Sequence, residues 1–347
     1  MYDFAAVPLE WIGPVLLVDE HDKQEEIKIP LATYESPLWP STNRGAKVTR
    51  LSGGLQATVV HDFMTRSIVL EADKASNANN ICHDLQNRLP DLAEVVAKTS
   101  SFAKLEKLDT QIYGKVIYLR FGITTGDASG HNMVTKAADH LLEWCLNHYN
   151  DLKHISVSGN YCVDKKVSAV NGILGRGKYV IADCTVPRDV CLSVLKTTPE
   201  KIVELHIKKN LMGGLMAGSL RAANAHFANM LLAFYLATGQ DAANIVEGSQ
   251  GQVHAEMDGE DLYFSVTLPN IIVGSIGNGK HHDFVKYNLN QLGCLEPNQP
   301  GVNAQRLAKC VAAAVWCGEI SLLAAQTNPG ELMRSHFAME RGESIKI

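Results

Sequence analysis

The chain has no CxxC pair, no GxGxxG run opening a βαβ unit, no uninterrupted apolar stretch of bilayer-spanning length and little net charge. Each absence removes a class of function. Eight cysteines without a paired spacing suggest neither a zinc site nor a disulfide framework, and a reducing compartment is the simpler reading. A formal net charge of −5 argues against general nucleic-acid binding. With no apolar run of spanning length, and no basic segment leading into an apolar core after Met1-Tyr2-Asp3-Phe4, neither a membrane span nor a signal peptide is expected. What the 347 residues do hold is core material, 46% hydrophobic against 20% charged. That suffices for one large domain or for two or three smaller ones.

Hydrophobic periodicity predicts strands alternating with helices. Strands are expected at 27–31, 115–123, 154–158, 179–187 and 262–273, and across 47–62 with a break at Gly53-Gly54. Helices are expected over 73–98, 132–147 and 188–196, with two long apolar ones at 219–238 and 302–326. Gly239 closes the first of these. Asn328-Pro329-Gly330 breaks the second before a short helix at 331–340. Both long helices are apolar over more than one stripe, which places them in a large core or at a subunit interface.

The most informative run is Ser158-Gly159-Asn160-Tyr161-Cys162-Val163-Asp164-Lys165-Lys166. Gly-Asn is a turn signal, and the carboxylate and two cations follow it beside apolar sequence. Such a run can be a solvated turn. It can also hold a lysine against an oxygen that becomes negative during a reaction. Other polar runs stand along the chain in a fixed order: Ala32-Thr33-Tyr34-Glu35-Ser36, Ser41-Thr42-Asn43-Arg44-Gly45 and Asp62-Phe63-Met64-Thr65-Arg66. Then come Gly175-Arg176-Gly177-Lys178, Lys209-Asn210-Leu211, Met216-Ala217-Gly218-Ser219, Asn224-Ala225-His226, Gly239-Gln240-Asp241 and Ser335-His336.

Taken together and in this order, these runs resemble the 3-hydroxy-3-methylglutaryl-CoA reductases, and most nearly the branch that includes the eukaryotic catalytic domain. The resemblance implies an α+β fold. A large substrate- and CoA-binding domain with long central helices would occupy 1–66 and 158–347, its C-terminal flap at about 328–347. A small ferredoxin-like NAD(P)-binding domain would be inserted at 67–157. It further implies a two-step hydride reduction of hydroxymethylglutaryl-CoA to mevalonate with release of CoA. The expected protein is soluble and cytoplasmic, a homodimer or dimer of dimers with shared active sites, needing no metal, membrane or nucleic acid.

By the same resemblance Lys165 stabilises the thioester oxyanion. Lys166 and Asp164, with Arg66, Ser158 and Lys209, hold the carboxylate and hydroxyl of the substrate, arginine being a natural carboxylate partner. Glu35 is the general acid. A loop glutamate is usually solvated, but Pro30, Leu31, Ala32, Pro37, Leu38 and Trp39 are apolar neighbours that would favour the protonated form if they closed over it. Asp241, a loop carboxylate after a helix on the bland reading, would lie between Glu35 and Lys165 and couple their protons. His336, otherwise a surface histidine, would protonate the CoA thiolate. His226 and Asn229, about one turn apart on the 219–238 helix, would lie near the site. Ser41, Asn43, Arg44, Lys47 and Lys196 are candidates for CoA, although lysine and arginine are commonly just solvated.

The cofactor positions depart from the family. Gly126-Asp127-Ala128-Ser129-Gly130-His131-Asn132 stands where Asp-Ala-Met-Gly-Met-Asn is usual, so Ser129 and His131 replace two methionines. Ser100-Ser101-Phe102 stands in place of Ser-Arg-Phe and lacks a candidate for a 2′-phosphate. NADPH is the expected reductant, with NADH left open. Gly277 and Gly279 in Gly274-Ser275-Ile276-Gly277-Asn278-Gly279-Lys280-His281 nearly spell a P-loop, but His281 replaces the magnesium-binding hydroxyl, and the run is read as a glycine loop near the cofactor. Two rivals stand beside this reading: the same fold oxidising mevalonate with NAD, and a non-catalytic CoA-binding protein derived from a reductase.

Overall fold

In the computed structural model, which describes residues 5–331 and residue 333, the chain opens with a hairpin of β1 (Leu9–Val18) and β2 (Gln24–Ala32). Asp19 shapes its turn by accepting from the amides of His21 and Lys23. Helix α1 (Leu38–Leu51) follows, then the 17-residue strand β3 (Leu55–Glu71). Gly53 and Gly54, at φ of 84° and 115°, turn the helix into the strand. The strand expected over 47–62 is therefore corrected: its first residues are helical. The buried face of α1 escapes a pattern search because it is partly built of small residues. At Gly45 an added Cβ would stand 2.1 Å from the Cys317 carbonyl oxygen, so only glycine lets the two backbones approach this closely.

Strand β3 belongs to two sheets. After it come α2 (Ala75–Asn87), α3 (Leu89–Ala97), β4 (Leu105–Tyr113), β5 (Val116–Ile123), α4 (His131–His148) and β6 (Lys153–Ser156). The upper half of β3 pairs antiparallel with β5 and β6, and β4 pairs with β5. One hydrophobic cluster lies between these strands and α2, α3 and α4, around Ile68, Leu70, Leu85, Leu92, Phe121 and Leu141.

Next stand α5 (Ala169–Leu174) and β7 (Gly177–Val186). Short helices α6 (Arg188–Val190), α7 (Pro199–Leu205) and α8 (Gly214–Ala217) alternate with π-helical turns at Cys191–Leu195 and His206–Gly213. The helix expected over 188–196 is thus α6 continued by a π turn. After α9 (Phe227–Ala237) and α10 (Ile245–Gly248), strands β8 (Gln252–Asp258) and β9 (Asp261–Ile271) complete a sheet ordered β2-β1-β3-β7-β9-β8. Helices α11 (Asp283–Gln291) and α12 (Val302–Gln326) close the described chain.

The expected helix over 219–238 begins only at Phe227. Glu319 explains the delay. Its buried carboxylate accepts from the amides of Ala225 at 2.9 Å and His226 at 2.6 Å, and Asn224 takes the amide of Phe227. The donors are satisfied outside the helix, so His226 is a cap residue rather than a helical neighbour of Asn229. Gly239 does close α9, at φ 63°.

Helix α12 has the length and apolarity to cross a membrane, and 89% of that window is buried inside the protein. It is a core helix. Trp316 is fully buried at its centre, with Nε1 donating to the Phe264 carbonyl at 2.9 Å. Of the flap expected at about 328–347 only residues 328–331 and 333 are described, and His336 with the rest of the helix expected at 331–340 lies outside the described residues.

Candidate active site

The loop after β6 carries Lys165 to the mouth of a cavity of about 1170 Å³. Lys165 Nζ is 2.6 Å from Asp241 Oδ2, both side chains close to half exposed. The hydrogen bond to Asp241 raises the lysine above its ordinary value. Asp241 is pushed upward by partial burial, but the Lys165 bond and the Ala243 amide together hold it below the usual carboxylate range. The pair therefore stays ionised around neutrality. Asp241 also N-caps the short turn Ala242–Asn244 through that amide. It sits at a helical start, where a carboxylate is favoured, and not at the disfavoured end of the preceding helix.

Behind the pair, Asp164 Oδ1 takes a hydrogen bond from the buried Arg176 guanidinium at 2.8 Å. His131 Nε2 lies 3.7 Å from the same oxygen. Burial and the nearby Arg176 charge lower the histidine from its ordinary value. Across the cavity stand Gly130, which caps α4 at φ 94°, and the 276–282 loop. Asp127 ties these walls together: its carbonyl accepts from Ser275 N, its carboxylate caps α12 at Ala304 N, and Ala128 pairs with Ile276. Lys280, given no role of its own in the sequence reading, also lines the cavity, donates to the Gly239 carbonyl and is pushed down to about 8 by burial. Arg66 lines it too, with a buried Nε that has no partner.

A second group gathers at the other end of α9. Glu35 Oε2 accepts from Asn229 Nδ2 at 2.9 Å. His226 Nε2 lies 3.9 Å from Glu319 Oε1. Lys209 is lowered by burial, partly offset by the Glu319 charge. Along α9 the rise from Asn229 to Ala237 is about 12 Å at 1.5 Å per residue, and Asp241 lies beyond that end. Among the described residues no hydrogen bond or ion pair joins Glu35 to Lys165 or Asp241 within the chain. Pro30, Leu31, Ala32, Pro37, Leu38 and Trp39 are buried, while Glu35 itself is partly exposed.

The hydroxymethylglutaryl-coenzyme A reductase family model matches residues 4–341. The chain belongs to that family. It is 43% identical to the 3-hydroxy-3-methylglutaryl-coenzyme A reductase of Aeropyrum pernix, covering 98% of this chain and 80% of that one. Identity to the Pyrococcus abyssi reductase is 42%, over 98% and 84%. To reductase 3 of Solanum tuberosum it is 41%, and there the chain spans only 59% of the relative's length. A class II reductase from Streptococcus pneumoniae bound to NADPH superposes with a TM-score of 0.73 over 94% of this chain, at 18% identity, which speaks to the fold alone.

Among the positions expected to bind CoA, Arg44 is committed within the chain, bonding Ser321 through Nε at 3.0 Å and Glu331 through Nη1 at 2.8 Å. Ser41 Oγ meets Ser321 Oγ, and Asn43 Oδ1 accepts from Gly13 N. Lys47 and Lys196 are exposed, as are Ser158 and Lys166, the latter donating to the Asp164 carbonyl. The positions expected to bind the cofactor divide. Ser129, Gly130, His131 and Asn132 line the cavity with Gly277 and Gly279. Ser100, Ser101 and Phe102 do not, and the Phe102 ring instead stands 3.5 Å from where a Cβ on Gly126 would be. Arg176 stood in the Gly175-Arg176-Gly177-Lys178 run without a role of its own, and Glu247 escaped the sequence reading, because nothing local marks a buried ion pair.

Proposed function

We propose that this chain reduces 3-hydroxy-3-methylglutaryl-CoA to mevalonate, consuming two NADPH and two protons and releasing two NADP and CoA. The Lys165–Asp241 pair at the cavity mouth carries the reading. A fixed ammonium there meets the thioester oxygen as it becomes negative, and meets the aldehyde oxygen in the second reduction. Glu35 supplies the proton to the forming alcohol. His336 protonates the thiolate, whose free-thiol value near roughly 8.5 suits an imidazolium donor. Arg66, Lys166 and Lys209 hold the substrate carboxylate, and exposed Lys47 and Lys196 suit the CoA phosphates.

The residues present fit a nicotinamide dinucleotide. The cavity is larger than the roughly 300–1,000 Å³ of an ordinary ligand site. It offers the amino end of α4, an open Gly277 where an added Cβ would meet nothing within 4 Å, and the buried Nε2 of His131, which makes no hydrogen bond. Helix starts and glycine backbones suit a pyrophosphate, and Lys280 adds a charge. When bound, the dihydronicotinamide supplies hydride. We read the unit at 67–157 as the ferredoxin-like cofactor domain, supported by its strand order β4-β5-β3-β6 and by the separate hydrophobic cluster beneath it. The eight free, buried cysteines suit the cytoplasm.

Lys280 gives the cofactor site a pH dependence. Burial depresses this lysine, so it is cationic below about 8 and neutral above. NADPH affinity is expected to fall several-fold as pH rises through about 8, and Lys280→Met to be weak and nearly flat across the same range. Fluorescence titration of bound NADPH checks both.

The functional test is stoichiometric. With hydroxymethylglutaryl-CoA as acceptor, two equivalents of NADPH should disappear per CoA thiol released, and NADH compared side by side reports the preference. Thiol release without nicotinamide oxidation would overturn the reading.

We also propose a homodimer, alone or paired into a tetramer. Leu215 and Met216 are 82% and 89% exposed beside Leu211 and Met212, apolar surface that suits a second copy. With Glu35 and Lys165 at opposite ends of α9, a two-fold partner is the natural way to complete each site.

A further inference from the structure

The loop that presents Lys165 is strained. Asn160, Val163 and Lys165 all have positive φ, at 56°, 42° and 55°. No glycine relieves these positions, and Val163 is β-branched, for which this region is an outlier. Such conformations persist only when their surroundings over-determine them.

The surroundings here are buried side chains from other elements. Ser67 Oγ accepts from the amides of Tyr161 and Cys162, and Asn171 Nδ2 donates to the Val163 carbonyl at 2.7 Å. The decisive contact is on Lys165 itself, whose backbone N–H donates to Glu247 Oε1 at 3.2 Å. Glu247 is fully buried. Asn244 Nδ2 holds the same oxygen at 2.9 Å, and Arg176 Nε lies 3.8 Å away. The Arg176 guanidinium in turn grips Asp164, the residue before Lys165. Residues 241–248 thus hold Lys165 at two points: Asp241 takes the ammonium and Glu247 takes the main chain.

We infer that Glu247 is a positioning residue for Lys165. It accepts the Lys165 amide and so fixes the left-handed turn that aims the ammonium at Asp241 and the cavity. Burial favours its neutral form, with Asn244, Arg176 and the Lys165 amide opposing that trend. A carbonyl-type oxygen is available in either form, so the acceptor and not the charge is what matters. The inference rests on Lys165 being the oxyanion stabiliser.

Two variants test it. Glu247→Asp keeps a carboxylate opposite Arg176 but withdraws it from the amide. Its kcat is expected to fall by about 10- to 100-fold, the size of effect a small misplacement produces. KM for both substrates should move little, and hydrogen exchange at the Lys165 amide should quicken. Glu247→Gln restores the acceptor, and with it slow exchange and most of kcat. If Glu247→Asp does not fold, Glu247→Met fills the space without an acceptor and takes its place. The inference is overturned if the acceptor-deficient variant keeps both kcat and slow exchange, or if Glu247→Gln is as impaired as that variant. A fully active Lys165→Ala would sink the catalytic reading instead, leaving the exchange result to decide the role of Glu247.

Discussion

Replacing Lys165 by alanine is expected to lower kcat by about 100- to 1,000-fold, the usual cost of losing a preorganised oxyanion donor. KM for NADPH should be nearly unchanged, because the lysine's ammonium is already paired with Asp241. The fold should not register the change. Both partners of the pair are close to half exposed, and pairs of that kind contribute about 0–1 kcal/mol. Lost activity with an unaltered melting curve is therefore the expected signature, read by steady-state kinetics beside thermal unfolding. Lys165→Arg is a sharper probe. It keeps the charge but spreads it over a planar fork, so it should recover only part of the loss. A Lys165→Ala enzyme making mevalonate at near wild-type rate would remove the foundation of the mechanism.

What could be read from the sequence was whatever is encoded locally. Lys165 is announced by Gly159-Asn160 and the contiguous Asp164-Lys165-Lys166. Helix α12 was expected at the bounds it has, because Pro300-Gly301 precedes and Asn328-Pro329-Gly330 follows a stretch rich in apolar residues from Val302 to Gln326. Strand β5 and helix α4 follow ordinary alternation and amphipathic spacing. What could not be read depends on distant partners. Helix α1 hid behind a glycine whose purpose is Cys317, far along the chain. The start of α9 is set by Glu319, 93 residues beyond His226. Glu247, which with Arg176 braces the Lys165 loop, looks like an ordinary surface charge until the fold buries the two together. The order of motifs pointed to the residues of the site. It said nothing of their division between the two ends of α9.

That division makes the second large prediction. Glu35→Gln and Lys165→Ala should each abolish most activity as pure proteins, and mixing the two chains within one dimer should restore it. In a two-fold dimer whose sites each take Glu35 from one chain and Lys165 from the other, the mixed species has one site with both defects and one with neither. Random pairing makes half the dimers mixed, so a co-expressed sample should show about a quarter of wild-type activity. The physical reason is the length of α9. Asn229 holds Glu35 at one end, Asp241 holds Lys165 beyond the other, and a packed helix cannot shorten to bring them together. The alternative, in which a proton reaches Lys165's substrate from Glu35 of the same chain, predicts no recovery at any mixing ratio, because every site would then carry one defect. Purifying the mixed dimer through two different affinity tags separates the outcomes cleanly, since it should work at half the wild-type rate per dimer with unchanged KM.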